Sequence, residues 1–165
     1  MARRLTEELT TDRLVLTPLR EDDATEMVQV VSFAALYGFT GGEPPSLREL
    51  RTRYRKLVSG PHSMREIWHN WVVRLSGGGG AIGVVQADIV DTAADVSWMI
   101  APPWQRRGYA TEAASAMCRW LRRHGVDSIA AHIHPDHIAS NKVAAAIGLS
   151  TTGETNDDGE VIWQS

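Results

Sequence analysis

Residues 98–112 read Trp-Met-Ile-Ala-Pro-Pro-Trp-Gln-Arg-Arg-Gly-Tyr-Ala-Thr-Glu, an apolar strand-like run that breaks at two prolines and delivers a basic, glycine-bearing turn onto a helix start. A helix N-terminus leaves its first N–H groups without partners, and the aligned peptide dipoles make that end partly positive, so it holds an anion without a dedicated side chain. Gly108 has no Cβ to keep such a ligand at a distance. Pro102 and Pro103 have no N–H and cannot extend a strand ladder, so the strand ending near Ala101 must part from a neighbour. The gap would expose backbone N–H and C=O groups to which an extended, amide-bearing molecule can hydrogen-bond as an added strand does. A ligand with a diphosphate at one end and an amide chain at the other matches both features.

Other reactive side chains read more plainly. His132 and His134 occupy alternate strand positions that share a face and His137 follows close behind, but no cysteine lies nearby, and Asp136 reads as a helix cap, so the expectation is ordinary histidines and no metal. Gly77 to Gly80 lack the Gly-Lys-Ser/Thr continuation of a phosphate cradle and read as a hairpin tip. Cys118 falls on the apolar stripe of a helix, which marks it as buried and unactivated rather than as a nucleophile.

The segment Gln105-Arg106-Arg107-Gly108-Tyr109-Ala110 resembles the Q/R-x-x-G-x-G/A signature of the GNAT superfamily of N-acetyltransferases. Within it, Thr11-Asp12-Arg13-Leu14-Val15-Leu16-Thr17-Pro18-Leu19 and Gly108-Tyr109-Ala110-Thr111-Glu112-Ala113 resemble the first strand and the helix start of the branch that includes the ribosomal-protein alanine and serine N-acetyltransferases. The resemblance implies that Gln105, Arg106, Arg107, Gly108, Tyr109, Ala110 and Thr111 hold the pyrophosphate of acetyl-coenzyme A, the co-substrate. A backbone N–H near Met99 or Ile100 would polarise the thioester carbonyl. The family's N-x-x-S pattern corresponds to His137-Ile138-Ala139-Ser140, so His137 stands where the family has asparagine, and His137, Ser140 and Asn141 are expected beside the pantetheine arm and the sulfur. Ser140 and Asn141 also suit the plainer role of serving the backbone in a first helical turn. The tyrosine acid of many relatives is missing between Ala139 and Thr155, which leaves Ser140 as the nearest substitute. Asp95, on one strand face with Ser97 and Met99, is the first candidate for general base, and Glu66 and His69 compete with it.

These groups need a scaffold that sets them on one cleft. Residues 13–20 alternate as a strand, and the acidic residues 21–23 suit the positive end of a following helix. Ser46-Leu47-Arg48-Glu49 reads as a capping box opening a helix with Leu47, Leu50, Tyr54, Leu57 and Val58 on one stripe. Residues 37–45 form a loop, which the resemblance places near the acceptor. Residues 68–75, 81–90 and 94–100 form an antiparallel meander, and Ala110, Ala113, Ala114, Met117, Cys118 and Leu121 recur at helical spacing before Gly125. A strand over 128–134 completes a right-handed crossover with the basic turn at its switch. A helix from Asp136 or His137 to near Gly148, then a hairpin turning at Asp157-Asp158-Gly159, ends the chain. The expectation is one α/β (α+β) domain over residues 1–165. Its mixed, mostly antiparallel sheet has six to seven strands, splays between the fourth and fifth, and is flanked by about four helices.

The chain's 165 residues, 43% hydrophobic content and net charge of −3 suit a single core and argue against general nucleic-acid affinity. The apolar run over residues 27–39 is too short to span a bilayer, and Met1-Ala2-Arg3-Arg4 is followed by Glu7 and Glu8 rather than an apolar leader. A cytoplasmic protein with no membrane or direct nucleic-acid partner is expected, and the resemblance adds that relatives are often dimers. At pH 7 an α-amine of pKa about 8 costs about 1.4 kcal/mol to deprotonate, against about 4.6 kcal/mol for a lysine amine near 10.4, so a chain without an obvious strong base leans toward a weakly basic acceptor. The reading is therefore an acetyl-coenzyme A dependent N-acetyltransferase acting by direct attack in a ternary complex, with a protein N-terminal α-amine as one acceptor. A small-molecule amine, whether antibiotic or polyamine, stays open, as does a catalytically quiet acyl-coenzyme A binding module.

Overall fold

The computed structural model describes residues 5–165, so the Met1–Arg4 part of the leader argument lies outside the described residues. Among them no helix is long and apolar enough to cross a membrane. Eight strands form one sheet, β1 (Leu9–Thr10), β2 (Leu14–Pro18), β3 (Glu66–Leu75), β4 (Ala81–Val90), β5 (Ala93–Ile100), β6 (Ser128–Ile133), β7 (Ser150–Thr155) and β8 (Val161–Gln164). Their order is β1-β2-β3-β4-β5-β6-β8-β7, with β5 and β6 the one parallel pair in an otherwise antiparallel sheet. The expected class and meander hold, with more strands than the six to seven read from the sequence. The added β1 is two residues long and carries no periodic signal.

Among the described residues four α-helices flank the sheet. α1 (Ala24–Val30) and α2 (Leu47–Ser59) cover one face, and α3 (Tyr109–Arg123) covers the other with α4 (Ile138–Ala146) beside it. The capping box of α2 is present, since Ser46 Oγ accepts from Glu49 N–H (3.2 Å) and Glu49 Oε1 accepts from Ser46 N–H (3.4 Å). Its buried stripe is narrower than expected, because Leu50 and Tyr54 are buried while Leu47 and Val58 stay exposed. α3 instead buries more than its alanine spacing suggests, adding Ala116 and Trp120 to the core.

His69, on β3, belongs to that core and not to the cleft. It is 3% exposed, lies against Trp71 and Trp120 (ring centroids 5.8 and 4.7 Å), and bonds Thr6 Oγ1 through Nδ1 (2.8 Å). Both tryptophans donate their indole N–H to Glu7, Trp71 to its carbonyl (2.7 Å) and Trp120 to its carboxylate (3.0 Å). Burial, with the charge of His124 second, lowers the His69 pKa from 6.5 to about 4. The unfolded chain takes up a proton near pH 6.5 while the folded one resists until about 4, so stability is full above the first value and is lost on acidification between the two. A loss of about 2 kcal/mol between pH 7 and pH 5 is expected from this group. Thermal melts across that interval test it, and His69→Phe should flatten the dependence; an unchanged slope in the variant would assign it elsewhere.

Candidate active site

The parallel pairing of β5 with β6 runs only from Ala93–Ser128 to Asp95–Ala130, after which the strands part. The splay thus lies between the strands over 93–100 and 128–133, as the two prolines implied. Gly83 on β4 contributes from the other side. A Cβ there would stand 2.1 Å from Met99 O, so only glycine lets the end of β5 lean onto β4 and away from β6. Ala101 N–H donates to Ile82 O (2.8 Å), and strand alternation then turns the backbone of Met99 toward β4 and that of Trp98 and Ile100 into the gap. The N–H available to a bound carbonyl is therefore that of Ile100, not Met99. The C=O of Ile100 accepts from Gln105 Nε2 (2.8 Å), so the Gln105 amide closes off the strand end with one of its two N–H hydrogens.

Beyond a 3-10 turn at Pro102–Trp104, Arg106 (φ 63°) and Gly108 (φ 81°) both take the left-handed conformation. Such a turn points successive N–H groups into one concavity, which the first N–H groups of α3 extend. A clamp from the N-terminal strands steadies it. Arg13 donates to Glu112 Oε1 (2.7 Å) and to Arg107 O (2.9 Å), lies 4.4 Å from the Tyr109 ring centroid, and Thr11 Oγ1 donates to the same Glu112 carboxylate. Burial pushes the Glu112 pKa up, but these hydrogen bonds outweigh it and hold it below its ordinary value.

The splay and this turn open into a cavity of about 960 Å³ bounded by β5, β6, the start of α4 and residues 35–40. Met99, Ile100, Gln105, Arg106, Gly108, Tyr109, Ala110, Thr111, His137 and Ser140 line it, whereas Arg107, Asn141 and Asp95 do not. Arg107 lays its guanidinium over the Trp104 ring at 5.4 Å. Asn141 donates to the carbonyls of His134, Pro135 and His137 (3.3, 3.2 and 3.0 Å) and accepts from Trp163 Nε1 (3.0 Å), which consumes its amide on the backbone and the last strand. Glu66 accepts from Trp68 Nε1 (2.8 Å) and lies outside the cavity too. Asp95 is 65% exposed, with Oδ1 3.7 Å from Nε2 of His132, and His132 does line the cavity.

The three histidines of the cavity differ in what their ring nitrogens do. His134 Nδ1 accepts from Asp136 N–H (3.1 Å). His137, not Asp136, caps α4, its Nδ1 accepting from Ser140 N–H (3.3 Å) while Nε2 lies 3.2 Å from Ser140 Oγ. Burial, with the charge of His134 second among the lowering causes, holds His137 below its ordinary pKa and hence neutral at pH 7. With Nδ1 accepting, its proton sits on Nε2 and is donated to Ser140 Oγ, which leaves the Ser140 hydroxyl hydrogen free for another acceptor. His132 alone of the three has neither ring nitrogen spent on a backbone N–H. Phe39 stacks on His137 (4.6 Å) and packs against His134 (5.1 Å), so the loop after α1 forms part of the cleft wall. Phe39 belongs to the loop over residues 37–45 that the resemblance places near the acceptor, and Trp104 to the run over residues 98–112, whereas Lys142, which also lines the cavity, has no spacing in the sequence that marks it. Among the described residues no group of three or more His, Cys, Asp or Glu side chains is arranged to hold a metal. Cys118 is buried in α3, and burial pushes its thiol up to about 11, which leaves it protonated and inert.

The model of the acetyltransferase (GNAT) domain family matches residues 13–150. Among solved structures, a GNAT-family acetyltransferase from Bacillus anthracis superposes with a TM-score of 0.82 at 18% identity, over 96% of this chain and 98% of that one. RimL, a ribosomal alpha-N-protein acetyltransferase solved with coenzyme A, gives 0.80 at 17% identity over 96% and 97%. The aminoglycoside acetyltransferase AAC(6')-Ib, also solved with coenzyme A, gives 0.76 at 16% identity over 92% and 94%. Such identities speak for a shared fold alone. A comparison with curated proteins finds no match.

Proposed function

The chain belongs to the acetyltransferase (GNAT) family, and from that premise we propose that it transfers acetyl from acetyl-coenzyme A to a weakly basic primary amine, by direct attack in a ternary complex. The observation that carries this reading is the continuity of the β5–β6 gap with the left-handed turn at Arg106 and Gly108, one cleft offering N–H groups to a diphosphate and strand edges to an amide chain. The fit is further supported by Gly108, whose φ of 81° favours glycine and where a Cβ would press on the Arg13 clamp at 3.3 Å from Nη2, so the turn is built for a residue without a side chain.

When bound, the thioester supplies an electrophilic carbonyl and a thiolate leaving group. In this reading the N–H of Ile100 donates to the thioester oxygen and strengthens as negative charge grows there. The amine nitrogen forms its bond to the acetyl carbon as the carbon–sulfur bond breaks, and the amine's proton passes to His132, whose ring is steadied by the Asp95 carboxylate. Asp95 thus acts as a positioning residue, one step removed from the base role its strand position suggested. Ser140, receiving the Nε2–H of His137, turns its own hydrogen toward the sulfur. A thiolate with a pKa near 8.5 leaves with a hydrogen bond and needs no strong acid, so the missing tyrosine is no bar. No acyl-enzyme is involved, given the inert Cys118.

The acceptor proposed is an α-amine, of a peptide or a protein N-terminus, because its deprotonation costs about 3 kcal/mol less than that of a lysine. A thiol-release assay over α-amines, lysine-type amines, polyamines and aminoglycosides tests this. Release with α-amines as the best acceptors is expected. Coenzyme A binding without release on any amine would make the chain an acyl-coenzyme A binding module, and preference for a polyamine or aminoglycoside would replace the acceptor.

A further inference from the structure

On the face covered by α1 and α2 lies a second cavity of about 150 Å³, and Met99 lines both it and the main cleft. Its polar lining is Tyr37, Arg53, Tyr54, Asn70 and Gln86, and it contains no aspartate or glutamate. Arg53 is the unusual member. Two other basic residues of α2 are occupied, Arg55 with Glu21 (2.8 Å) and Arg51 with Thr25 Oγ1 (3.3 Å), whereas Arg53 makes no ion pair or hydrogen bond among the described residues. Asp23, whose charge acts on Tyr54 of this lining, is held by Arg74 (3.2 Å). Tyr37 spends its hydroxyl hydrogen on Val31 O (2.7 Å).

The register of the sheet continues this lining toward the cleft. Asn70, Gln86 and Ser97 stand directly opposite one another across β3, β4 and β5, and Ser97 lines the main cavity beside Met99. An uncharged row of two amides and a hydroxyl therefore leads from Arg53 to the gap in the sheet. A second ammonium group seated here would meet an unpaired guanidinium with no carboxylate to offset it, a like-charge contact that disfavours polyamines and aminoglycosides. A carboxylate would meet a two-pronged donor, and a peptide amide would match the row between.

Resting on the acetyl-transfer reading above, we infer that Arg53 selects acceptors bearing a carboxylate a few bonds from the reacting amine, the chemistry of a short peptide with a free C-terminus or of a polypeptide terminus with an early acidic side chain. Arg53 is exposed at its helix surface, so the discrimination expected is about tenfold rather than the hundredfold of a buried pair.

The test compares alanylglycine with alanylglycinamide, whose α-amines have nearly equal basicity, by thiol release. The acid is expected to show a kcat/KM about tenfold above the amide, and Arg53→Met to bring the two near parity, with coenzyme A affinity by calorimetry unchanged as the check on folding. Arg53→Lys should keep part of the preference. A longer amidated peptide with aspartate second, set against its asparagine counterpart, separates the two carboxylate sources, and preference for the acid in either arm supports the selection. Equal or better use of the amide and of the asparagine peptide by the native chain overturns it, as does a preference that survives Arg53→Met. If the native chain binds coenzyme A yet releases no thiol with any amine, the transfer reading fails and this inference falls with it, an outcome distinct from turnover without preference.

Discussion

Gly108→Val is expected to weaken coenzyme A binding by about 10²–10³-fold in calorimetry while the chain still folds. Gly108 sits at φ 81° as the residue before the first turn of α3, where a β-branched residue is strained by about 1–2 kcal/mol. Its new Cβ would lie 3.3 Å from Arg13 Nη2, within the clamp that joins Arg13, Glu112 and the Arg107 carbonyl. The valine thus meets a choice between a strained turn and a displaced clamp, and either misaims the N–H groups of Tyr109 and its successors. Each charge-assisted N–H to phosphate bond is worth about 1.5–3 kcal/mol, so losing one or two of them accounts for the expected drop. The core clusters do not include Gly108, so the melting temperature should fall by only a few degrees. Unchanged affinity would remove this turn from the binding site.

His132→Gln is expected to lower kcat about 10²–10⁴-fold, the usual contribution of a positioned base, with little change in KM for acetyl-coenzyme A. Glutamine keeps polarity and approximate size but has no ring nitrogen to take a proton. The acid limb of the kcat/KM profile should then follow only the amine's own deprotonation, near pH 8 for an α-amine. Asp95→Asn should have a smaller effect, about tenfold, because its carboxylate is 65% exposed and stands 3.7 Å from His132 without entering the cleft. A profile unchanged by His132→Gln would leave the amine to lose its proton to water. An effect of Asp95→Asn larger than that of His132→Gln would return the base role to Asp95.

The contrast between Asp95 and His132 shows where sequence stops. Their placement on separate strands follows from periodicity, but which of the two enters the cleft depends on the β5–β6 register and on where pairing ends, a long-range property invisible to local spacing. Asn141 is a similar case, because its amide is claimed by Trp163 22 positions later and by three local carbonyls. His69, an apparent competitor as base, turned on its strand to the face where Trp71 and Trp120 bury it.

By themselves the residues of this chain determined the meander, the crossover, the splay after β5, the glycine-bearing turn and the inertness of Cys118. Each follows from short-range causes, whether hydrophobic period, a proline's missing N–H, a glycine's freedom at positive φ, or an apolar helical stripe. Only the tertiary structure decided that Ile100 rather than Met99 faces the gap, that Gly83 lets β5 lean aside, that His137 caps α4 and orients Ser140, and that Arg53 stands unpaired over a second cavity. The physical reason is common to all four. Hydrogen-bond partners and charge neighbours are settled by contacts between segments far apart in the chain, and a side chain's chemistry depends on which of its atoms those contacts leave unused.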